Sequence, residues 1–403
     1  MIRTKSLFFV LVAGWAVLFS LAPGLVLAET LDGRDPYLPY QDEVRMKAVK
    51  DSLDGVEAQR EKRSLGALVL PDPAPAASPE TVVPGPVIPP LVAPMTPIDP
   101  EQRSAVVKRT LDWVEFQFDM NSGFRYDFLQ FNIAGDTSGQ NPNILSELTW
   151  KDLWSYQIGT KAQAVFNKHI RVEGSYDYAW IMDGKNQDSD YLGDDRTLEF
   201  SRSLNSTDDD NLMDFSVGLG WQFRIGAVKD WEDILTNDLW CALLAGYSYH
   251  EQNLRITNGY QDFPPTGAFS GLNSTYQTKW RGPWTGIEFF GQREKFKGYS
   301  RLEYHWADYD AEGNWNLRDD FAHPVSFAHG AKGGGINIAF GGKYIVNDSW
   351  AVGLDGNLEF WETKDGRDRT YFADGSSSDT KFNEVKWRSY GLMLSATYLF
   401  GGK

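Results

Sequence analysis

The chain has 403 residues, a formal net charge of −16, 14% aromatic residues and a single cysteine, Cys241. The acidic balance excludes the basic patch that nucleic acid needs, and one cysteine excludes an internal disulfide. After the first 28 residues no stretch approaches the ~18 apolar residues of a spanning helix.

Residues 1–28 read as a secretory signal. Arg3 and Lys5 precede an apolar run from Leu7 to about Leu21, and Val26-Leu27-Ala28 offers a cleavage site. Residues 29–70 form a short helical segment. In Gln41–Lys62, Val44, Met46, Val49, Leu53 and Val56 fall near helical spacing, which makes either a periplasmic docking element or a marginal helix that frays alone. Residues 71–108 are a proline-rich linker, with eleven prolines among the thirty residues of 71–100. Such a stretch tends to polyproline II and spans up to about 90 Å at ~3.1 Å per residue. Together these segments suggest a periplasmic arm that tethers the chain to the cell wall or to a periplasmic partner.

From 109 to 403 the texture changes to alternation. Trp154, Tyr156, Ile158, Ala162, Ala164 and Phe166 share one parity, and Ser155, Gln157, Lys161 and Gln163 the other. Leu302, Tyr304 and Trp306 oppose Arg301, Glu303 and His305, and Tyr390, Leu392, Leu394, Ala396, Tyr398 and Phe400 share a face near the end. A period of two puts alternate side chains on opposite faces of a strand. The pattern predicts ten strands, at 110–132, 145–166, 170–184, 209–227, 238–257, 273–293, 298–312, 333–346, 350–363 and 382–400. Around Leu239–Tyr249 both parities are apolar or small, so that strand has no readable orientation. Near Gly282-Pro283 the alternation slips, which predicts a bulge.

One face carries charges of both signs and the other is rich in Trp, Tyr and Phe. Short turns (Asn167–His169, Glu294–Lys297, Asn347–Ser349) alternate with long polar loops. That combination points to an all-β, ten-stranded antiparallel transmembrane barrel of the outer membrane, apolar toward lipid and polar within. Ten strands leave an interior little wider than side chains fill, which argues against a wide pore.

Several stretches resemble the omptins, outer-membrane aspartic-type endopeptidases. "LSELTWK" (Leu145–Lys151) is similar to their second strand, "LLAGYSY" (Leu243–Tyr249) to their fifth and "YQTKWRGPWTGIE" (Tyr276–Glu288) to their sixth. "ADYDAEGNWNLRDDF" (Ala307–Phe321) resembles the Protochlamydia outer membrane protein group, the closer likeness. The omptin resemblance implies an Asp pair facing an Asp–His pair across the rim, with a water between. Asp188 and Asp190 match the first pair. At the second, Glu312 and Asn314 stand where the Asp and His are expected, and Asn cannot accept a proton as imidazole does. Asp310 lies nearby, and His323 or His329 would have to fold back from the same loop. His305 is read as packing against lumen charges, and His169 and His250 have no readable partner. Asp208, Asp209 and Asp210, followed by Asn211, suit a hard cation such as Ca²⁺, but their spacing fits no defined loop and a charged rim is the plainer reading. No cofactor is indicated.

Two functions follow. One is a barrel with a structural, surface-binding or narrow-pore role, in contact with outer-membrane lipid and, by the resemblance, lipopolysaccharide. The other is an endopeptidase using Asp188, Asp190, Asp310 and His323. The missing histidine favours the first.

Overall fold

The computed structural model describes residues 113–225 and 238–400. The signal, the short helical segment and the linker lie outside the described residues. Among those described, thirteen strands run β1 (Val114–Ile133), β2 (Ser146–Phe166), β3 (Ile170–Gly193), β4 (Thr197–Ser206), β5 (Asn211–Arg224), β6 (Asp238–Phe263), β7 (Gly267–Ala268), β8 (Ser274–Arg293), β9 (Phe296–Asn314), β10 (Phe327–Ile345), β11 (Trp350–Thr363), β12 (Gly366–Tyr371) and β13 (Ser377–Phe400).

Ten of them close a ring in which every neighbour is antiparallel. It runs β1-β2-β3-β5-β6-β8-β9-β10-β11-β13, and β13 returns to β1 from Phe116↔Phe400 to Ile133↔Phe382. Closure satisfies the backbone polar groups that lipid cannot. The tight turns gather at one end, where β1 begins and β13 ends. At Phe166–His169 the central Asn167 and Lys168 both have positive φ, as a two-residue hairpin loop requires.

At the opposite end the ring is rebuilt. β4 takes the place of β5 between β3 and β6, and β12 takes the place of β11 between β10 and β13. The barrel therefore has a second tier, again ten strands around, stacked on the first. This is why β3 runs to Gly193 and β13 starts at Ser377, beyond the bounds their alternation suggests.

Two local expectations change. No bulge occurs at Pro283: β8 pairs with β6 without a register shift through Gly282↔Ser248 and Pro283↔Tyr247, and the side chains keep one parity. The missing N–H is absorbed on the β9 side, where two ladder pairs lapse between Arg281↔Asp308 and Trp284↔His305. β6, unreadable by pattern, turns Ala242, Leu244, Ser248 and His250 inward and exposes Leu243 and Tyr247.

Around the first tier the outward parity is an exposed apolar band. It includes Phe124, Ile158, Val217, Leu243, Leu354, Leu392 and Leu394. Aromatics flank it at both edges: Trp113, Phe296, Tyr344, Trp350 and Phe400 at the tight-turn end, and Trp154, Trp180, Tyr304, Trp306 and Tyr390 at the other. This is the girdled band of a membrane barrel.

The lumen has three levels. Nearest the tight turns is a polar chamber of about 550 Å³. Arg171 donates to both oxygens of Glu288, at 2.6 and 3.0 Å, and to Glu173 at 2.7 Å, while Arg301 reaches Glu173, Glu288 and Glu303. Next, Arg125 joins Asp127 (2.8 Å) and Asp214, and His250 joins Asp214 at 2.8 Å. His305 bonds Glu303 and Ser248, so it packs among lumen charges as its parity predicts. Above them rings from opposite walls meet. Trp280 lies 5.6 Å from Trp361 and 6.1 Å from Trp387, Trp361 stacks on Trp387 at 5.4 Å, and Trp150 stacks on Tyr276 at 5.1 Å. With Leu129, Phe131, Leu153, Leu212, Leu254, Tyr309, Phe382 and Val385 they form one buried apolar core across the barrel. Gly335 makes room for it: a Cβ there would come within 2.4 Å of the Trp361 ring.

Candidate outer-cleft site

Beyond this core lies a second cavity of about 500 Å³, lined from β2, β3 and β4 on one side and from the β9–β10 loop, β10 and β12 on the other. It is where the sequence candidates can be tested against position.

Asp188 and Asp190 are inside it. A bulge where β2 and β3 lose register, between Lys151/Trp154 and Trp154/Ser155, shifts the parity of β3, so that Asn186, Asp188 and Asp190 follow Ile181 into the interior. Burial pushes the Asp188 carboxyl well up, and the charge of Asp190 adds to the effect. Burial likewise pushes Asp190 up to about 6, against the opposing pull of the Ser146 hydroxyl and the Arg318 guanidinium. Asp188 Oδ1 is buried without a hydrogen bond. The pair thus holds its protons to a higher pH than ordinary carboxyls do.

Asp310 does not reach the cleft. On β9 the odd residues face in, and Asp310 shares the outward parity with Asp308 and Glu312. It is half exposed and paired with Arg281 at 2.6 Å on the outside of the barrel. His323 does not reach it either: its Nδ1 bonds Asn314 Oδ1 at 2.7 Å on an exposed loop. The residues that replace them are His329 and Asp368. His329 stands on the inward parity of β10, and its Nε2 lies 3.2 Å from Asp368 Oδ1 on β12, with both side chains almost fully buried. Its Nδ1 lies 2.8 Å from the Tyr276 hydroxyl, which in turn lies 2.7 Å from that of Tyr309. Burial raises both phenols, so each stays protonated. Thr380 donates to Asp368 at 2.8 Å. The His329 ring thus has a phenol hydroxyl beside Nδ1 and a carboxylate beside Nε2.

His329 was in view from the sequence as a residue of the right loop; Asp368 was not. It lies in "GRDRTY", Gly366–Tyr371, which has no apolar alternation. The same holds for Arg318, held bidentately by Asp320 at 2.9 and 2.9 Å, and for Asn186 and Asn205.

The acidic trio at the β4–β5 turn forms no cation cage. Asp208 accepts from Thr257, Asp210 accepts the Asn211 amides, and Asp209 turns the chain with φ 58°. Among the described residues no three His, Cys, Asp or Glu side chains converge as a metal site.

Comparison with known proteins agrees with the barrel. The outer membrane protease OmpT from Escherichia coli superposes with a TM-score of 0.59 over 71% of this chain and 97% of that one, at 13% identity, which shows a common fold. The monoaromatic hydrocarbon channel CymD (TM-score 0.27, 10% identity, 72% of this chain and 88% of that one) and a FadL homologue from Pseudomonas aeruginosa (0.19, 7%, 71% and 90%) align at lower scores. No curated protein matches the sequence significantly. The profile of the Protochlamydia outer membrane protein family matches residues 119–400, from Asp119 in β1 to the last residue of β13. The chain belongs to the Protochlamydia outer membrane protein family.

Proposed function

We propose that this protein acts at its outer face, as a surface-binding barrel with a closed lumen. Outer-membrane barrels turn short loops to the periplasm and long ones outward, so the cleft opens to the outside and the charged chamber to the periplasm. The observation that carries the reading is the ring-filled core between them, where Trp280, Trp361 and Trp387 meet in van der Waals contact. A diffusion path needs water through that level, and side chains of this size leave none. The test is conductance of the purified protein in planar bilayers. Wild type is expected to give no steps above the lipid background, and a Trp280→Ala/Trp387→Ala double variant to give them. Frequent steps from wild type would overturn the reading.

A second reading is an aspartic-type endopeptidase. What favours it is that Asp188 and Asp190 line one cavity with His329 and Asp368. It expects cleavage of exposed peptides, lost in Asp190→Asn and in His329→Ala. Equal cleavage by these variants and wild type sinks it. The placement of Asp310 and His323 away from the cleft puts it second.

The N-terminal arm supports a tether to the cell wall or a periplasmic partner, on composition alone. A pull-down in which a form lacking residues 29–100 keeps every partner would count against it.

A further inference from the structure

The walls of the outer cleft carry unspent hydrogen-bonding capacity next to aromatic faces. Asn186 on β3 and Asn205 on β4 are registered partners, 1% and 8% exposed. Asn205 Nδ2 donates to Asn186 Oδ1 at 2.9 Å and to Ser203 Oγ at 3.0 Å. That uses one half of each amide. Asn186 Nδ2 and Asn205 Oδ1 are left buried and unpartnered, a donor beside an acceptor, and Asp188 Oδ1 two residues along is unpartnered as well. Polar atoms buried in this way are rare in native structures unless something meets them. All three residues line the cavity, with Trp315, Phe321 and Phe327 on the opposite wall.

The fixed charge of the cleft is largely cancelled within it. Arg318 is held by Asp320, His329 is held by Asp368, and burial disfavours ionisation of Asp188 and Asp190. An ionic ligand would find no free counter-charge among these groups. An extended peptide would find no free strand edge on β1, β2, β3, β10 or β12, because each is paired on both sides at this level. What matches a neighbouring donor and acceptor, a further acceptor and an aromatic wall is a molecule whose hydroxyls both give and take hydrogen bonds and whose ring has an apolar face.

We propose that the outer cleft is a sugar site, which takes a neutral oligosaccharide on the Asn186–Asn205 pair and Asp188, with a ring against Trp315. A volume of about 500 Å³ accommodates two or three hexose units. The proposal rests on the surface-binding reading and names its ligand class.

The test is titration of the full-length protein, folded in detergent micelles, with maltotriose and chitotriose, read by tryptophan fluorescence and calorimetry. A hexapeptide of mixed sequence runs in parallel. The expected result is saturable binding of at least one trisaccharide that changes less than twofold between low and high salt. Asn205→Leu and Trp315→Ala should each weaken it tenfold or more. Both variants must keep the heat-resistant gel mobility of a folded barrel, and Trp315 sits on a loop outside the ring, so at least that variant is expected to fold. Saturable peptide binding without sugar binding overturns the sugar site and leaves the surface-binding reading standing. Binding of neither overturns both.

Discussion

The two tiers of this barrel share all their strands but β4 and β5, β11 and β12, and are inside out with respect to each other. Along β9 the inward residues run Arg301, Glu303, His305 and then Ala307, Tyr309, Ala311, while the outward ones run Leu302, Tyr304, Trp306 and then Asp308, Asp310, Glu312. β11 changes at the same level, from Glu359 to Trp361 inside and Phe360 to Glu362 outside. So does β13 read in reverse, from Ser389 to Trp387 inside and Tyr390 to Arg388 outside. Neither β9 nor β11 shifts register there. What changes is the solvent. Where hydrocarbon surrounds the sheet, exposed apolar residues cost nothing and charges must turn inward and pair. Where water surrounds it, charges go outward and the interior dries into an ordinary core. On these three strands the inversion places the edge of the hydrocarbon region to within one residue pair.

The contrast breaks most violently where each tier loses its own kind of interior. Arg301→Met in the lower tier leaves Glu173, Glu288 and Glu303 without their shared guanidinium, a loss of about 3–5 kcal/mol for an uncompensated buried charge. Trp280→Ala in the upper tier removes a fully buried ring, for about 3–5 kcal/mol of cavity and transfer energy. Denaturant unfolding in lipid vesicles should give similar losses from opposite causes. If Arg301→Met proves neutral, the lower chamber is too wet for its ion pairs to matter.

The outer faces should differ more plainly. Leu394→Arg puts a charge on the most exposed large apolar residue of the band, at 70% exposure, and should destabilise by about 2–4 kcal/mol near mid-bilayer. Glu312→Arg, on the same kind of outward position one tier up, should fall within about 0.5 kcal/mol of wild type. Equal penalties at the two sites would mean the inversion plane is misplaced.

The upper interior should also respond to pH. The fold holds the protons of Asp188 and Asp190 above the ordinary carboxylate range. The stabilisation from holding them is therefore complete below about pH 4 and is lost as pH rises through 6 and beyond. For Asp190 the loss is on the order of 2 kcal/mol. Unfolding measured at pH 4 and pH 8 should show it in wild type, and an Asp188→Asn/Asp190→Asn variant should flatten the profile.

The lower tier was legible in the sequence, β6 apart, because one solvent, lipid, writes a two-residue pattern along its strands. Tyr390 to Phe400 is enough to orient β13. The upper tier was less so. The alternation of β9 continues through it with the signs exchanged, and reading Tyr304 and Trp306 as lipid-facing invites the same parity for Asp310. That parity puts Asp310 outside, where it stands; it was expected at the cleft only through the omptin resemblance. β12 has no alternation to read, since Arg367, Asp368 and Arg369 put charges on both faces. The partner of His329 is therefore a fact of tertiary pairing. The Asp188–Asp190 spacing was readable because two residues apart on a strand means one face, and the bulge at the boundary decided which.

Asp310 offers the gentlest test of the scheme. If the upper tier is a water-exposed barrel, the Arg281–Asp310 pair is a solvent-exposed ion pair, with both partners about half exposed. Such pairs contribute roughly 0.2–1 kcal/mol, less in salt. Asp310→Asn should lower stability by no more than that. It should leave ligand binding in the cleft and any peptide cleavage unchanged, because its carboxylate points away from Asp188 and His329. A variant that abolished either activity with the barrel intact would mean that β9 can present its even residues inward, and the assignment of inside and outside above the membrane would have to be reversed for that strand.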